Sequence, residues 1–500
     1  MKRAVWTKPP WGAIWLLTGI IVVWHCWFSS YNHDEIEHLH ASWLISSGEL
    51  PFRDFLEQHH PTLWFLAAPV VVRFESVQHL IFAARVFDTV CLVGVLWLVQ
   101  RLLRRLYPEV PWQFPILLLL SSFLFVRSTL EFRPDALMNV ALYAGFLHWI
   151  AFLQGGRFLR AILSGVFFGC AVAVLQKAIV VLGLVGLSGL FLVGARLWTR
   201  QQVKRLLLGG TSLLAASAIA PAALFLAMRS LGIFNEFWFW NYPFNRFFYL
   251  QAHLPQHFSA ARAIGLSILL SPVLWMVAAI GARLCVRDLI FGDRFSTRNE
   301  CRLTVLWVAA GYLGLLCLNR FPLDQYFIVL LPFLALLAAD AFRSLRERPQ
   351  LLLVERATLC MPVVLVALLV VYPSNGEQRS VQAFVLGRTT ADQSIFVPPA
   401  FNPIFRRDAA YFWYNVDLIR GAYEDSCRQT QSCPDNKIAL DAQRWEDSPP
   451  VFVLLELPVC LPYRWSSRES FYHPTEIPGL WERAKTAGIA PPGEGLAPTQ

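Results

Sequence analysis

Long apolar segments recur along this chain, and they constrain its fold more than any other feature. A helix needs about 20 apolar residues to cross the hydrocarbon core of a bilayer, and about eleven segments come close to that length. They lie near residues 11–28, 79–100, 112–127, 136–153, 159–176, 178–195, 206–228, 263–283, 303–319, 325–342 and 356–373. Because backbone polar groups inside a bilayer must be satisfied within each segment, we expect an all-α polytopic membrane protein with about 11 transmembrane helices.

The composition agrees with this class and excludes two others. Of the 500 residues, 56% are hydrophobic and only 15% are charged, whereas soluble domains carry about 25% charged residues. A water-soluble enzyme and a disordered chain are therefore excluded. The net charge of +9 does not indicate nucleic-acid binding, because the cations fall in short clusters between apolar segments. We expect membrane lipids, and no nucleic acid, among the partners.

The cations are divided unequally between alternate loops. Loops on the side of the N-terminus carry about 21 Lys and Arg residues, and those on the other side carry about 9 before the tail. This predicts a cytoplasmic N-terminus, with residues 1–373 forming the membrane domain. An odd number of spans then places residues 374–500 outside as a small α/β-type domain, in which 450–457 is the best strand candidate. Its Cys427 and Cys433 could pair if that compartment is oxidising.

The first outward loop, residues 29–79, concentrates the ionisable residues, with seven carboxylates and six of the eleven histidines. Residues 36–47 have helical spacing, and the run 62–72 is too short to cross a membrane, so we expect two interfacial helices. Asp34 and Glu35 stand at the N-terminus of the first, where the helix dipole favours carboxylates even without a catalytic role. The functional alternative is a general base held at the membrane surface.

The loop contains, in order, Asp34-Glu35, Glu37-His38, Gly48, Arg53-Asp54-Phe55, Glu57 and His60-Pro61. With these residues it resembles the first extracytoplasmic loop of the GT-C glycosyltransferases. The chain is most similar to the bacterial branch with a dolichyl-phosphate-mannose mannosyltransferase-like domain, which includes the lipid A aminoarabinose and galacturonosyl transferases. Later matches follow in the family's order: Glu131 to Ala136, then Gly165, Gly169 and Lys177, then Arg320, Tyr326 and Pro332. Gln325 departs from the family pattern, in which histidine is common at that place.

The resemblance implies a polyprenyl-phosphate-sugar-dependent glycosyltransferase, hexosyl or pentosyl, of a bacterial inner membrane. It would transfer the sugar with inversion to a hydroxyl of a glycan, lipid or protein acceptor on the periplasmic face. By the same resemblance Asp34 is the base, and Glu35 orients it or the acceptor. The residues that we expect to bind substrate are Arg53, Asp54, His59, His60, Arg133, Asp135, Lys177, Arg246, Arg320 and Tyr326.

The sequence identifies no cofactor with certainty, and a divalent cation stays an open alternative. Five histidines lie among the carboxylates of the first outward loop, but their spacing matches no zinc motif. They are His33, His38, His40, His59 and His60.

A transporter or flippase of a lipid-linked sugar is the main alternative function. A transporter requires ionisable groups inside the spans, where Arg85 and Asp88 form the only obvious pair. It usually also has two related halves, and the sequence gives no sign of an internal repeat. A scaffold whose tail binds partners is a further alternative.

Overall fold

The computed structural model is mostly helical, and it describes most of the chain. The described residues are 10–195, 200–250, 259–291, 296–319, 323–345, 350–409, 417–431, 449–454 and 472–484. The helices are α1 (Trp11–Phe28), α2 (His33–Ser46), α3 (Thr62–Val71), α4 (Val77–Leu106), α5 (Gln113–Leu120), α6 (Phe123–Thr129), α7 (Pro134–Leu153), α8 (Phe158–Val174), α9 (Ala178–Ala195), α10 (Arg200–Ser217), α11 (Ile219–Ser230), α12 (Phe234–Phe239), α13 (Asn245–Leu250), α14 (Ala260–Leu270), α15 (Pro272–Phe291), α16 (Thr297–Leu318), α17 (Phe327–Leu345), α18 (Gln350–Val370), α19 (Gly376–Arg388) and α20 (Asp417–Thr430).

Seven helical stretches of the described chain are long and apolar enough to cross a membrane. They are Trp11–Phe28, Val77–Leu106, Pro134–Leu153, Val203–Ser230, Thr297–Leu318, Asp324–Ser344 and Leu353–Val370. An eighth candidate is the pair formed by α14 and α15, which is bent by 102°. The chain is therefore a multi-pass membrane protein with seven or eight candidate spans, fewer than the eleven that the apolar segments predicted.

Local breaks explain the difference in the count. The expected span 112–127 divides at two serines, and the side chain of Ser122 accepts a hydrogen bond from the Phe125 N–H to begin α6. The expected span 263–283 bends where Ser271 ends α14 and Pro272 begins α15, because proline cannot continue a helix from the preceding turn. Two further segments form the helix Phe158–Val174 and the apolar stretch Ala178–Leu192, both short for a full crossing.

Helices α8 and α10 pack at very close range because α8 carries two glycines four residues apart. A Cβ atom on Gly165 would lie 2.2 Å from the carbonyl oxygen of Leu213, and one on Gly169 would lie 2.5 Å from that of Ser217. Small residues at this spacing let two helix backbones approach in a membrane. These glycines, which first served to establish the family resemblance, thus have a packing role.

The described part of the tail forms helices and short strands, as expected of a small α/β region. Strands β1 (Ser394–Ile395) and β2 (Arg407–Asp408) pair in parallel. Strands β3 (Phe452–Leu454), β4 (Tyr472–Pro474) and β5 (Leu480–Arg483) form an antiparallel sheet in the order β3-β5-β4. Strand β3 lies inside the expected strand 450–457.

The tail contacts the first outward loop directly. Gln378 of α19 accepts a hydrogen bond from the Tyr31 N–H at 2.7 Å and donates one to the Tyr31 carbonyl at 2.9 Å. His40 of α2 lies 2.6 Å from the Ile404 carbonyl and 3.1 Å from Asp408. These contacts fix α2 between the membrane helices and the tail.

We predict that Gly165→Ala lowers the free energy of unfolding by about 1–3 kcal/mol, because the added methyl group meets the backbone of α10. Thermal unfolding of the purified protein in detergent, followed by circular dichroism, measures the change. Gly183→Ala is the matched control, since nothing lies within 4 Å of the Cβ position there. Equal melting temperatures for the two variants would contradict this packing.

Candidate active site

Helix α2 begins at His33, three residues before the expected start, and it holds Asp34 in its first turn. The side chain of Asn32 accepts a hydrogen bond from the Asp34 N–H at 3.0 Å, which caps the helix. The Asn32 amide also donates to Glu131 at 3.0 Å. Ile36 and Leu39 are buried beneath this turn. The first turn is therefore fixed both by capping and by packing.

The structure brings together five of the predicted site residues. Arg133 Nη1 lies 2.7 Å from Asp34 Oδ2, and Arg133 Nε lies 3.5 Å from Asp135 Oδ2. Lys177 donates a hydrogen bond to Asp135, and its Nζ lies 4.7 Å from the centre of the Tyr326 ring. The result is a continuous series of alternating charges, Asp34-Arg133-Asp135-Lys177, which ends beside the Tyr326 ring just before α17. We call it the charge series.

The local sequence explains how the charge series forms. Arg133 precedes a proline, which favours an extended backbone, and its φ and ψ are −145° and 152°. Pro134 then begins α7 and Asp135 falls in its first turn. Lys177 follows the end of α8 at Val174. Helix ends from two parts of the chain thus place opposite charges side by side.

Asp34 is the more accessible of the two carboxylates in the charge series. Its side chain is 21% exposed, whereas those of Arg133 and Asp135 are 6% and 3% exposed. Burial alone would raise the pKa of Asp34, but Arg133 and then His33 outweigh burial and hold that pKa well below its usual range. Asp34 is therefore ionised at neutral pH and open to a ligand.

Glu35 points to the opposite side and is fully buried. Its two oxygens accept hydrogen bonds from Arg85 of α4 at 2.8 and 2.7 Å, and it also accepts one from the Phe132 N–H at 3.3 Å. Arg85 completes its hydrogen bonds with carbonyl oxygens at the end of α1, among them that of Ser29 at 3.2 Å. Arg85 thus pairs with Glu35 and not with Asp88, the partner expected from helical spacing.

A second group of ionisable residues, His38, Glu57 and His59, lies in the first outward loop. One potential ligand atom from each lies within 4.8 Å of the others. His59 Nδ1 lies 3.3 Å from Glu57, which is buried. Burial raises the pKa of Glu57 and lowers the pKa of His38 to about 3. The sequence indicates Glu57 only through the family resemblance, and the dense Glu-Gln-His-His run is the local pattern that could have singled it out.

This group could hold a divalent cation through imidazole nitrogen and carboxylate oxygen, ligands that suit zinc. The Trp64 indole donates a hydrogen bond to His38 Nδ1 at 3.0 Å. Neutral His38 then carries its proton on Nε2, so neither ring nitrogen has a free lone pair. A cation would therefore compete with Trp64 for His38, whereas Glu57 has an oxygen, Oε1, without a hydrogen-bond partner among the described residues.

His60 and the aromatic segment 234–250 meet above the end of α8. His60 is buried, with Nδ1 2.8 Å from the Val172 carbonyl and Nε2 3.2 Å from the Tyr242 hydroxyl. A carbonyl only accepts, so the proton of the neutral ring lies on Nδ1 and Tyr242 donates to Nε2. Tyr242 belongs to a single turn of π-helix, Trp240–Phe244, a feature frequent at functional sites.

The other predicted site residues lie outside the charge series. Arg53 and Asp54 pair with each other at 2.7 Å within a local turn. Arg246 is exposed. Arg320 lies outside the described residues, and His59 belongs to the second group. Glu131, which the sequence indicates only as the first residue of the Glu131 to Ala136 match, lies 3.9 Å from Arg133.

Comparison with known proteins identifies the class. Residues 60–225 match the family model described as dolichyl-phosphate-mannose-protein mannosyltransferase. The solved structure of ArnT from Cupriavidus metallidurans bound to undecaprenyl phosphate is similar, with a TM-score of 0.59 and 14% identity, covering 80% of this chain and 85% of that chain. Its apo state gives a TM-score of 0.58 at 14% identity, with coverage of 80% and 84%. These similarities support the predicted enzyme class, a polyprenyl-phosphate-sugar-dependent glycosyltransferase, and the fold is similar to that of ArnT.

A more distant structure shares the fold of this glycosyltransferase. The Archaeoglobus fulgidus oligosaccharyltransferase in its apo form has a TM-score of 0.53 at 10% identity, covering 85% of this chain and 69% of that chain. No curated protein sequence matches the chain. The family match contains Arg133, Asp135 and Lys177, while Asp34 precedes it. The resemblance is confirmed, as is the prediction of a polyprenyl-phosphate-sugar-dependent glycosyltransferase.

We predict that Glu35→Gln destabilises this glycosyltransferase by about 3–5 kcal/mol, because it leaves the Arg85 charge buried without its counter-charge. Asp34→Asn is the comparison variant, since Arg133 keeps Asp135 and Glu131 near it and a smaller loss follows. Thermal unfolding in detergent measures both. A Glu35→Gln protein that melts like the wild type would show that Glu35 does not hold the fold.

A second prediction concerns the competition for His38. Trp64→Phe removes the competing donor and is expected to strengthen Zn²⁺ binding about two- to tenfold, the worth of one hydrogen bond. Glu57→Gln is expected to abolish binding, and His473→Gln, an exposed histidine elsewhere, to leave it unchanged. Isothermal titration of the purified chain with Zn²⁺ measures the affinities. Binding that survives Glu57→Gln excludes this group as the metal site.

Proposed function

We propose that this glycosyltransferase takes a sugar from undecaprenyl phosphate and transfers it, with inversion, to a hydroxyl acceptor on the periplasmic face. Asp34 acts as the general base. The observation that carries the proposal is one accessible, ionised carboxylate in direct contact with the buried cation Arg133, which is joined through Asp135 to a second cation, Lys177.

The two cations suit the phosphate of the donor. Guanidinium groups bind phosphate oxygens in pairs, and ammonium groups bind them as point charges. The lipid tail of the donor would lie in the bilayer, which holds its phosphate at the level of these helix ends. The similar ArnT structure is bound to undecaprenyl phosphate, and this supports the choice of carrier.

The reaction requires one proton transfer and one displacement. Asp34 takes the proton of the acceptor hydroxyl, whose oxygen bonds to the anomeric carbon from the face opposite the phosphate. The bond between that carbon and the phosphate oxygen breaks, and undecaprenyl phosphate leaves with the electron pair. Arg133 and Lys177 stabilise the charge that develops on the leaving group, so no proton donor is needed on that side.

Arg133 also links donor binding to the strength of the base. In the free protein its contact with Asp34 keeps that carboxylate ionised but weakly basic. A donor phosphate would draw Arg133 toward itself and weaken that contact. The pKa of Asp34 would then rise toward the range in which a carboxylate removes a proton efficiently.

Three amide side chains near Gln58 support a hydroxylated ligand. Asn245 and Gln176 donate hydrogen bonds to the Gln58 carbonyl at 2.8 and 3.2 Å, and Asn241 donates to the Phe237 carbonyl at 3.0 Å. Their amide oxygens are buried without partners among the described residues. Unpaired buried acceptors each cost about 1–3 kcal/mol, and hydroxyl groups could satisfy them while an ionised phosphate could not.

The orientation rests on two independent features. The cation excess of the loops on the N-terminal side favours a cytoplasmic N-terminus. Cys427 in the tail is disulfide-bonded, which fits an oxidising compartment such as the bacterial periplasm. The division at residues 373 and 374, and substrate contacts by Arg53, Asp54, His59, His60, Arg246 and Arg320, remain part of the proposal.

We predict that Asp34→Asn lowers kcat about 10²- to 10⁴-fold, the usual contribution of a general base. Transfer by the purified chain in lipid, from a panel of radiolabelled undecaprenyl-phosphate sugars to a membrane extract, measures the rate. Glu75→Gln removes an exposed carboxylate of the same loop and is expected to leave transfer unchanged. Equal transfer by wild type and Asp34→Asn would remove Asp34 from the reaction, and transfer from none of these donors would overturn the choice of carrier.

A further inference from the structure

A cavity of about 310 Å³ opens between α4, α7 and α8. It lies at the ends of α7 and α8 that are far from the charge series, since Arg133, Asp135 and Lys177 lie at the opposite ends of those two helices. Its most informative lining residues are Trp97, Arg101, Arg105, His148, Arg160 and Phe167. Asp135 and His148 both lie on α7, about 20 Å apart at 1.5 Å per residue, so this cavity is separate from the candidate active site.

The cavity is strongly cationic. Arg101, Arg105 and Arg160 all line it, and none of the three forms an ion pair with a carboxylate in the described part of the chain. Arg160 donates a hydrogen bond to His148 Nδ1 at 3.1 Å. The neutral ring therefore carries its proton on Nε2 and adds a further N–H donor. The guanidinium groups and the imidazole form a donor-rich wall, and no carboxylate among the described residues neutralises it.

The remaining wall is apolar. Phe167 stacks on the His148 ring at 5.5 Å, and leucine and alanine side chains of α4 and α7 complete the lining. Trp97 is 54% exposed, and Arg101 lies 5.8 Å from the centre of its ring. Tryptophan and arginine at this position are typical of the interface between hydrocarbon and headgroups.

We propose that this cavity binds the headgroup of an anionic phospholipid from the leaflet opposite the active site. Three arginines complement the phosphate, and the apolar wall accommodates the first part of an acyl chain. Basic pockets between transmembrane helices on the cytoplasmic side are suited to such lipids, and these loops belong to the cation-rich set of the sequence. The site is independent of glycosyl transfer.

Native mass spectrometry of the full chain in detergent tests the site by titration with phosphatidylglycerol and, separately, with phosphatidylcholine of the same acyl chains. The triple variant Arg101→Gln, Arg105→Gln, Arg160→Gln is expected to bind phosphatidylglycerol roughly 100-fold more weakly, about fivefold for each arginine. Its phosphatidylcholine binding is expected not to change.

The matched control removes the same charge from exposed positions outside the cavity, as Lys204→Gln, Arg283→Gln, Arg356→Gln. This control is expected to keep phosphatidylglycerol binding. A variant with lysine at the three cavity positions is also expected to keep it, and it shows whether loss in the glutamine variant comes from lost charge or from misfolding. Equal losses in the control and the cavity variant overturn the proposal. Displacement by undecaprenyl phosphate at equal concentration, or by inorganic phosphate alone, overturns the assignment to a phospholipid.

Discussion

The buried ion pair between Glu35 and Arg85 determines where the first outward loop sits on the membrane helices. Arg85 is fixed from several sides, by both oxygens of Glu35 and by carbonyl oxygens at the end of α1. A charge buried inside a span is costly unless its hydrogen bonds are complete, so this pair permits essentially one position for α2. Asp34 is the next residue along α2, and its position follows from that constraint.

From Asp34 the structure continues as a series of alternating charges through Arg133, Asp135 and Lys177. Each cation in this series sits at a helix end, where its charge can meet a lipid phosphate. The neutral parts of the site follow a different principle. Buried amides near Gln58 donate their N–H groups to backbone carbonyls. Their oxygens have no partner among the described residues and could accept hydrogen bonds from a ligand. In the proposed reaction the cations bind the carrier phosphate, and the neutral acceptors bind the hydroxyls of the sugar or of the acceptor.

The same helices α4, α7 and α8 carry charged features at both ends. At the end near residues 29–79 carboxylates and cations pair, whereas at the other end three arginines line a cavity without acidic partners among the described residues. The glycines of α8 let α10 pack against it without side chains between the backbones. Close packing of this kind gives the ends of α8 a fixed position, which both features require.

The sequence by itself determined the membrane class, the GT-C resemblance and the special first loop, because these depend on apolar length and on local motifs. It also named five site residues, but only the tertiary structure brought them together. It overestimated the spans, since apolarity does not reveal a break such as Ser121-Ser122 or Ser271-Pro272. Only the tertiary structure decided that Glu35 pairs with Arg85 and that Glu57 joins His38 and His59. Those contacts join residues distant in sequence, and their geometry depends on how helices pack, which no local pattern encodes.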